Sequence, residues 1–189
     1  MTKQELRKIY RDKRQALHGK DRLRLDDLLL LQFQQFNYND IRTVLSYWPM
    51  SGQAEPNTHI LTGYLRHMVY DLRIAYPVSD LQQHSFTAHA IDEDTVYRTN
   101  AWGITEPVNT QPIDPARIDL VLVPMLVCDQ RGYRVGYGKG FYDRFLQQCR
   151  KDVVKMGCCY FEPVEQISDT HEFDVPLNYC ITPQHIYEF

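Results

Sequence analysis

The sequence predicts an α/β fold: a layered sheet whose strands run largely parallel. Three observations lead there. Helix-type and strand-type segments alternate through much of the chain. Residues 118–127, Ile-Asp-Leu-Val-Leu-Val-Pro-Met-Leu-Val, are nearly continuous in apolar side chains, as a strand covered on both faces must be. Finally, 189 residues with 43% hydrophobic and 24% charged content suit one compact domain, and no repeat, low-complexity stretch or long linker divides residues 1–189.

Taken in order, residues 3–36 read as two helices. Leu6, Ile9 and Tyr10 recur at helical spacing, the chain breaks at Leu17 to Asp21, and a second apolar run continues through Leu28–Leu31 to Phe33 and Phe36. Asn37-Tyr38-Asn39-Asp40 is turn chemistry. Residues 43–48 form a β-rich run ending at Pro49, followed by a loop to Pro56 and a helix over about 57–68 capped by Asn57 or Thr58. A second strand is expected over 72–78 and one or two more within 85–97. Residues 100–107 read as an aromatic, glycine-marked loop. After the apolar run at 118–127 come a turn at 129–132, a helix over 141–151, a strand over 153–160 and short apolar pieces near Ile167, Val175 and Ile181.

Composition narrows function. A net charge of −3 disfavours a general nucleic-acid binder, although the first helix carries Lys3, Arg7, Lys8, Arg11, Lys13 and Arg14. Those cations read equally as a solvated face or as an arm toward a phosphate-rich ligand. No run of about 18 uncharged apolar residues suggests a membrane span, and Met1 to Arg7 lack the apolar core of a secretory signal. Five cysteines, Cys128, Cys149, Cys158, Cys159 and Cys180, show no metal-finger spacing and are expected as reduced thiols in a cytoplasmic protein. Cys158 and Cys159 would face opposite sides of a strand. His59, His67, His89, His171 and the other histidines show no ligand spacing, and none is assigned a catalytic role.

One segment is dense in chemistry: Arg134-Val135-Gly136-Tyr137-Gly138-Lys139-Gly140-Phe141-Tyr142-Asp143-Arg144, between a buried strand and a helix. Glycines let a ligand approach the main chain, and amides opening a helix suit phosphate. Lys139 adds charge inside the loop and Arg134 can pair bidentately with phosphate oxygens. The spacing is neither a P-loop, since Gly140 follows Lys139, nor a dinucleotide fingerprint, since it reads GxGxG. Asp143 can cap the helix or hold Mg²⁺ beside phosphate.

Together with Val123-Pro124, Asp129 and Gly132, this segment resembles the signature of the 5-formyltetrahydrofolate cyclo-ligase family. The likeness extends to Lys3-x-x-Leu6-Arg7 with Arg14, to Tyr47-Trp48-Pro49 with Glu55 and Thr58, to Trp102-Gly103-Ile104 with Glu106-Pro107, and to Asp174-Val175-Pro176-Leu177. Met125, Cys128, Phe141 and Asn178 depart from the usual pattern.

The resemblance implies a single-domain, three-layer Rossmann-like sandwich and ATP- and Mg²⁺-dependent conversion of 5-formyltetrahydrofolate to 5,10-methenyltetrahydrofolate. It implies that Lys3, Arg7, Arg134 and the stretch Gly136, Tyr137, Gly138, Lys139, Gly140, Phe141 and Tyr142 bind ATP. Lys139, Arg134 and Tyr142 would act in catalysis, and Asp143 and Asp174 would hold Mg²⁺. Met50, Glu55, Trp102 and Tyr142 would line the folate pocket. Met50 and Trp102 also read as packing residues, Glu55 as a loop carboxylate before a helix, and Asp174 as a turn cap. The expected partners are small molecules, with no nucleic acid or membrane, and the protein is expected to be a monomer. Two other classes stay open: a non-catalytic nucleotide or folate binder, favoured by Met125, Cys128 and Phe141, and an RNA-associated module using the basic first helix.

Overall fold

The computed structural model describes residues 1–189, the Ser51 side chain excepted. In chain order the elements are α1 (Lys3–Gln15), α2 (Gly19–Phe33), β1 (Thr43–Leu45), α3 (Thr58–Met68), β2 (Arg73–Asp80), β3 (Ser85–Ala90), β4 (Val96–Thr99), β5 (Thr105–Val108), β6 (Leu120–Val123), β7 (Val127–Cys128), β8 (Arg134–Val135), α4 (Phe141–Leu146), β9 (Val154–Cys158), β10 (Tyr179–Ile181) and β11 (Ile186–Glu188). Seven strands form one sheet in the order β11-β10-β9-β6-β1-β2-β3. The five inner strands, β10 through β2, pair parallel, and the antiparallel neighbours β11 and β3 close the two edges.

Alternation along the strands makes three layers. Leu120 and Leu122 of β6 turn to a core with Leu29 and Phe33 of α2 and Leu61 and Leu65 of α3. Val121 and Val123 turn to the other face, against Phe145 and Leu146 of α4. Both faces of β6 are therefore buried, which is why its sequence is a continuous apolar run rather than an alternating one. Cys158, the last residue of β9, and Cys159, which follows it directly, join opposite cores. All five cysteines are free thiols. Among the described residues no helix is long and apolar enough to cross a membrane.

Several boundaries differ from the sequence reading, each for a local reason. The run 118–127 is not one strand. It leaves the sheet at Pro124, which cannot donate to a ladder, and Val127–Cys128 then pairs antiparallel with β8. Buried Asp129 holds that hairpin's turn, accepting from the backbone N–H groups of Arg131, Tyr133 and Ile167, each at 3.0 Å. The helix expected over 141–151 ends at Leu146, where Gln148 and Cys149 donate to carbonyls three residues back and tighten the chain out of α geometry. β1 stops at Leu45, although Ser46 still donates to Ala75. The aromatic loop at 100–107 is the tip of a β4–β5 hairpin and runs into β5. Asn100 Oδ1 there accepts from Trp102 and Ile104 N–H.

Helix α1 has no place in the two main cores. A capping box starts it: Thr2 Oγ1 accepts from Glu5 N–H, and Glu5 Oε2 accepts from Thr2 N–H. Its Leu6 packs with Leu126, Val127, Val135 and Ile167. That contact fastens the basic helix to the β7–β8 hairpin, from which the glycine loop departs.

Candidate active site

Sheet order locates the site before any side chain is considered. From β1 the chain proceeds outward to β2 and β3, and from β6 it proceeds the other way to β9 and β10. The connections at the carboxyl ends of β1 and β6 diverge, and such a divergence leaves a crevice for ligand. A cavity of about 760 Å³ opens there, walled by Tyr47 and Trp48 after β1 and by Pro124 after β6. It brings together every site residue singled out from sequence: Lys3, Arg7, Met50, Glu55, Trp102, Arg134, Gly136, Tyr137, Gly138, Lys139, Gly140, Phe141, Tyr142, Asp143 and Asp174.

One part of the wall is cationic. Lys3, Arg7, Arg134, Lys139 and Arg144 line it, against three carboxylates, Glu55, Asp143 and Asp174. Two of those carboxylates are already matched. Lys3 Nζ lies 2.5 Å from Asp174, and Arg134 lies 3.0 Å from Asp143. Arg134 also donates to the Val175 carbonyl, and Asp143 accepts from Val175 N–H at 3.1 Å. Arg7 Nε donates to the Gly136 carbonyl at 2.9 Å, and Arg144 donates to the carbonyls of Lys139 and His84. Lys139 forms no ion pair with any described residue. Its ammonium sits 5.7 Å from the Trp102 ring centroid. Gly138 holds φ at +87°, and a Cβ there would come within 3.2 Å of the Arg7 guanidinium. The glycine thus both permits the turn and lets α1 close on it.

The other part is carboxylate and aromatic. Glu55 is only 7% exposed. The preceding Ala54 holds φ at +49°, uncommon for a residue with a side chain, and the Glu55 carboxylate turns back to accept from Met50 N–H at 2.7 Å. Its other oxygen accepts from the Tyr137 hydroxyl. Burial pushes the Glu55 pKa up, while the Tyr137 hydroxyl, the Met50 N–H and the Arg14 charge work against that rise. The Tyr142 hydroxyl is buried and has no hydrogen-bond partner, and burial drives its pKa far above the ordinary phenol value. It is a protonated donor with no acceptor among the described residues. Asp174 behaves oppositely to Glu55. Burial acts to raise its pKa, yet the Lys3 hydrogen bond, the His171 backbone N–H and the nearby charges hold it below the usual carboxylate range.

Among the described residues, no three His, Cys, Asp or Glu side chains gather as a metal cage. Asp143 and Asp174 offer oxygen donors of the right hardness on the cavity wall, each already facing a cation. That donor set fits Mg²⁺ of the kind held by one or two carboxylates, water and a ligand's phosphates.

Residues 1–183 match the family described as the 5-formyltetrahydrofolate cyclo-ligase family. The chain belongs to that family. A 5-formyltetrahydrofolate cyclo-ligase of Mycoplasma pneumoniae is 28% identical over 189 residues, covering 97% of this chain and 100% of the relative. The Haemophilus influenzae enzyme of the same name is 37% identical over 103 residues, spanning 50% of this chain and about half of the relative, 54%. Among solved structures, the Aquifex aeolicus 5,10-methenyltetrahydrofolate synthetase superposes with a TM-score of 0.82 at 25% identity, covering 100% of this chain and 93% of that one. The M. pneumoniae synthetase gives 0.75 at 25% identity, with 96% and 98% covered.

Within this cyclo-ligase fold, sequence reasoning missed several wall residues. Trp48 belongs to the Tyr47-Trp48-Pro49 motif but was given no site role, and Phe173 adjoins Asp174, which was the available signal. His171 also lines the cavity, with Nδ1 3.9 Å from Asp174. Met125 and Cys128, by contrast, are each about 1% exposed and belong to the core behind the cavity.

Proposed function

We propose that this chain converts 5-formyltetrahydrofolate and MgATP to 5,10-methenyltetrahydrofolate, ADP and phosphate. Family membership supplies the reaction class. The observation that carries the reading is a single cavity in which a cationic glycine loop adjoins a buried carboxylate and aromatic faces. A formamide oxygen is a poor leaving group. Transfer of the γ-phosphoryl group to it gives an iminium phosphate, N10 attacks that carbon and loses its proton, and the formyl oxygen departs within the phosphate. No protein nucleophile is needed. The protein aligns the groups and compensates charge.

Lys3, Arg7, Arg134 and the stretch Gly136 to Tyr142 bind the nucleotide, with Lys139 supplying the principal charge of that cradle. Asp143 or Asp174 would hold Mg²⁺, which when bound would supply compensation for phosphate charge. Glu55 accepts from the pterin's N–H donors, Trp102 and Met50 offer apolar surface, and the unpartnered Tyr142 hydroxyl donates to ligand oxygen. On this reading residues 1–189 act as one domain, in the cytoplasm, as a monomer with small-molecule partners only.

A non-catalytic binder is the competing reading. Of the three departures that favour it, Met125 and Cys128 lie in the core, whereas Phe141 lines the cavity. The deciding experiment is spectrophotometric: purified protein with ATP, Mg²⁺ and 5-formyltetrahydrofolate forms the absorbing methenyl product. Folded protein that binds ATP but forms none would establish the non-catalytic reading instead.

A further inference from the structure

Arg14 is a cation in the wrong place for a surface helix. It is 2% exposed and makes no ion pair within 4.0 Å with any described residue. One guanidinium nitrogen donates to the Met125 carbonyl at 3.0 Å, a second donates to the Tyr137 hydroxyl, and Nε has no partner. The Tyr137 hydroxyl in turn donates to Glu55. A buried charge needs compensation, and here the countercharge is Glu55, reached through a phenol. Every group in this chain has its direction assigned: guanidinium to phenol oxygen, phenol hydrogen to carboxylate.

We infer that Arg14 and Tyr137 are positioning residues which keep Glu55 ionised and aimed at the N–H donors of the folate ring. The inference rests on the folate reading above and deepens it. Glu55 has two oxygens. One accepts from Met50 N–H and the other from Tyr137, which leaves a lone pair on each for a ligand. Without the relay the carboxyl, already raised by burial, would take up a proton and present a donor where an acceptor is required. The groups facing it from neighbouring elements are few: Arg14 from α1, Tyr137 from the glycine loop, Tyr142 from α4, Tyr47 beyond β1, and Tyr160. The Tyr160 hydroxyl reaches both the Glu55 carbonyl and Asp26 of α2. Arg14 is the one cation among them. Tyr137 thereby has a task separate from its neighbours in the loop: its backbone belongs to the phosphate side and its hydroxyl to the folate side.

The test is equilibrium binding of 5-formyltetrahydrofolate and, separately, of ATP, across pH, in the full-length protein. Tyr137→Phe keeps the ring and removes the relay. Folate affinity should fall about tenfold near neutral pH, as expected for a lost hydrogen bond to a charged group. ATP affinity should stay within about twofold. The acid limb of folate binding should move to higher pH, because the charged form of Glu55 has lost its stabilisers. Arg14→Met should move the limb the same way, and Arg14→Lys should restore part of it, with circular dichroism confirming that each variant folds. In a Glu55→Gln background the limb should vanish, and adding Tyr137→Phe should cost less than it does alone. Unchanged folate affinity with an unmoved limb in Tyr137→Phe overturns the relay, as does an equal loss for ATP and folate. A parent protein that binds no 5-formyltetrahydrofolate at any pH overturns the folate reading and the relay together, whereas a binding parent with indifferent variants overturns only the relay.

Discussion

Asp174 and Glu55 line the same cavity, yet their surroundings shift their pKa values in opposite directions. Asp174 stands beside Lys3, which helps hold its pKa below the ordinary value, whereas Glu55 is buried in its wall and its pKa is raised. The difference reflects two ways of building a binding surface. The loop side gathers several cations around a glycine-rich backbone, which suits a polyanion whose own charge dominates. The Glu55 side uses few polar atoms in fixed orientation among apolar faces, which suits a flat ligand recognised by hydrogen-bond pattern.

The sharpest way to break this division is at Lys139, the lining cation whose ammonium forms no ion pair or hydrogen bond with a described residue. Lys139→Ala should lower kcat/KM for ATP by about 10²-fold, the scale for losing one preorganised charge stabiliser, while folate affinity stays nearly constant. Steady-state kinetics varying each substrate in turn checks it. Parallel losses for both substrates would mean that the two sides are not separable. Because the lysine is exposed, its contribution should also shrink as salt rises.

Trp102 tests the opposite side with a smaller effect. It rides the β4–β5 hairpin tip, 43% exposed, within about 6 Å of both Phe141 and His84 ring centroids. Trp102→Ala should weaken 5-formyltetrahydrofolate about fivefold through loss of one aromatic face, with thermal stability unchanged. The ammonium of Lys139 lies over the same ring, so the double variant Lys139→Ala/Trp102→Ala should be less than additive for ATP.

The same division explains what could be read from sequence. The loop side was legible because Arg134 to Arg144 are contiguous, and because glycine, lysine and aspartate at that spacing have few other uses. The parallel sheet was legible for a related reason: Leu120 to Val123 bury both faces, so local pattern and tertiary position agree. The Glu55 side was only partly legible. Its parts come from α1, the segment after β1, the hairpin tip and the loop, and no local pattern joins Arg14 to Tyr137 across 123 residues. Arg14 looked like one more cation on a basic helix; only packing of α1 on the β7–β8 hairpin turns it inward. Boundaries failed where a single residue outweighs periodicity, as Pro124 does in the apolar run.

The smallest expected effect concerns stability. The Lys3–Asp174 pair ties α1 to the segment before β10, with side chains 17% and 15% exposed. Because the folded Asp174 pKa is depressed, the pair's contribution is present above the unfolded carboxylate pKa and is lost as pH falls through the lower folded value. Asp174→Asn should therefore be less stable than the parent by about 1 kcal/mol at pH 7, the upper end for a pair this accessible. That gap should begin to narrow below about pH 3.8, the ordinary Asp value, and close below the lower folded value, where the parent's aspartate is also neutral. Denaturant melts at pH 7 and at successive steps from pH 4 down through the folded Asp174 value measure it. A gap that stays constant over that range would mean that shape and hydrogen bonding, rather than charge, hold α1 in place. The cationic side would then be less electrostatic in character than its contrast with Glu55 requires.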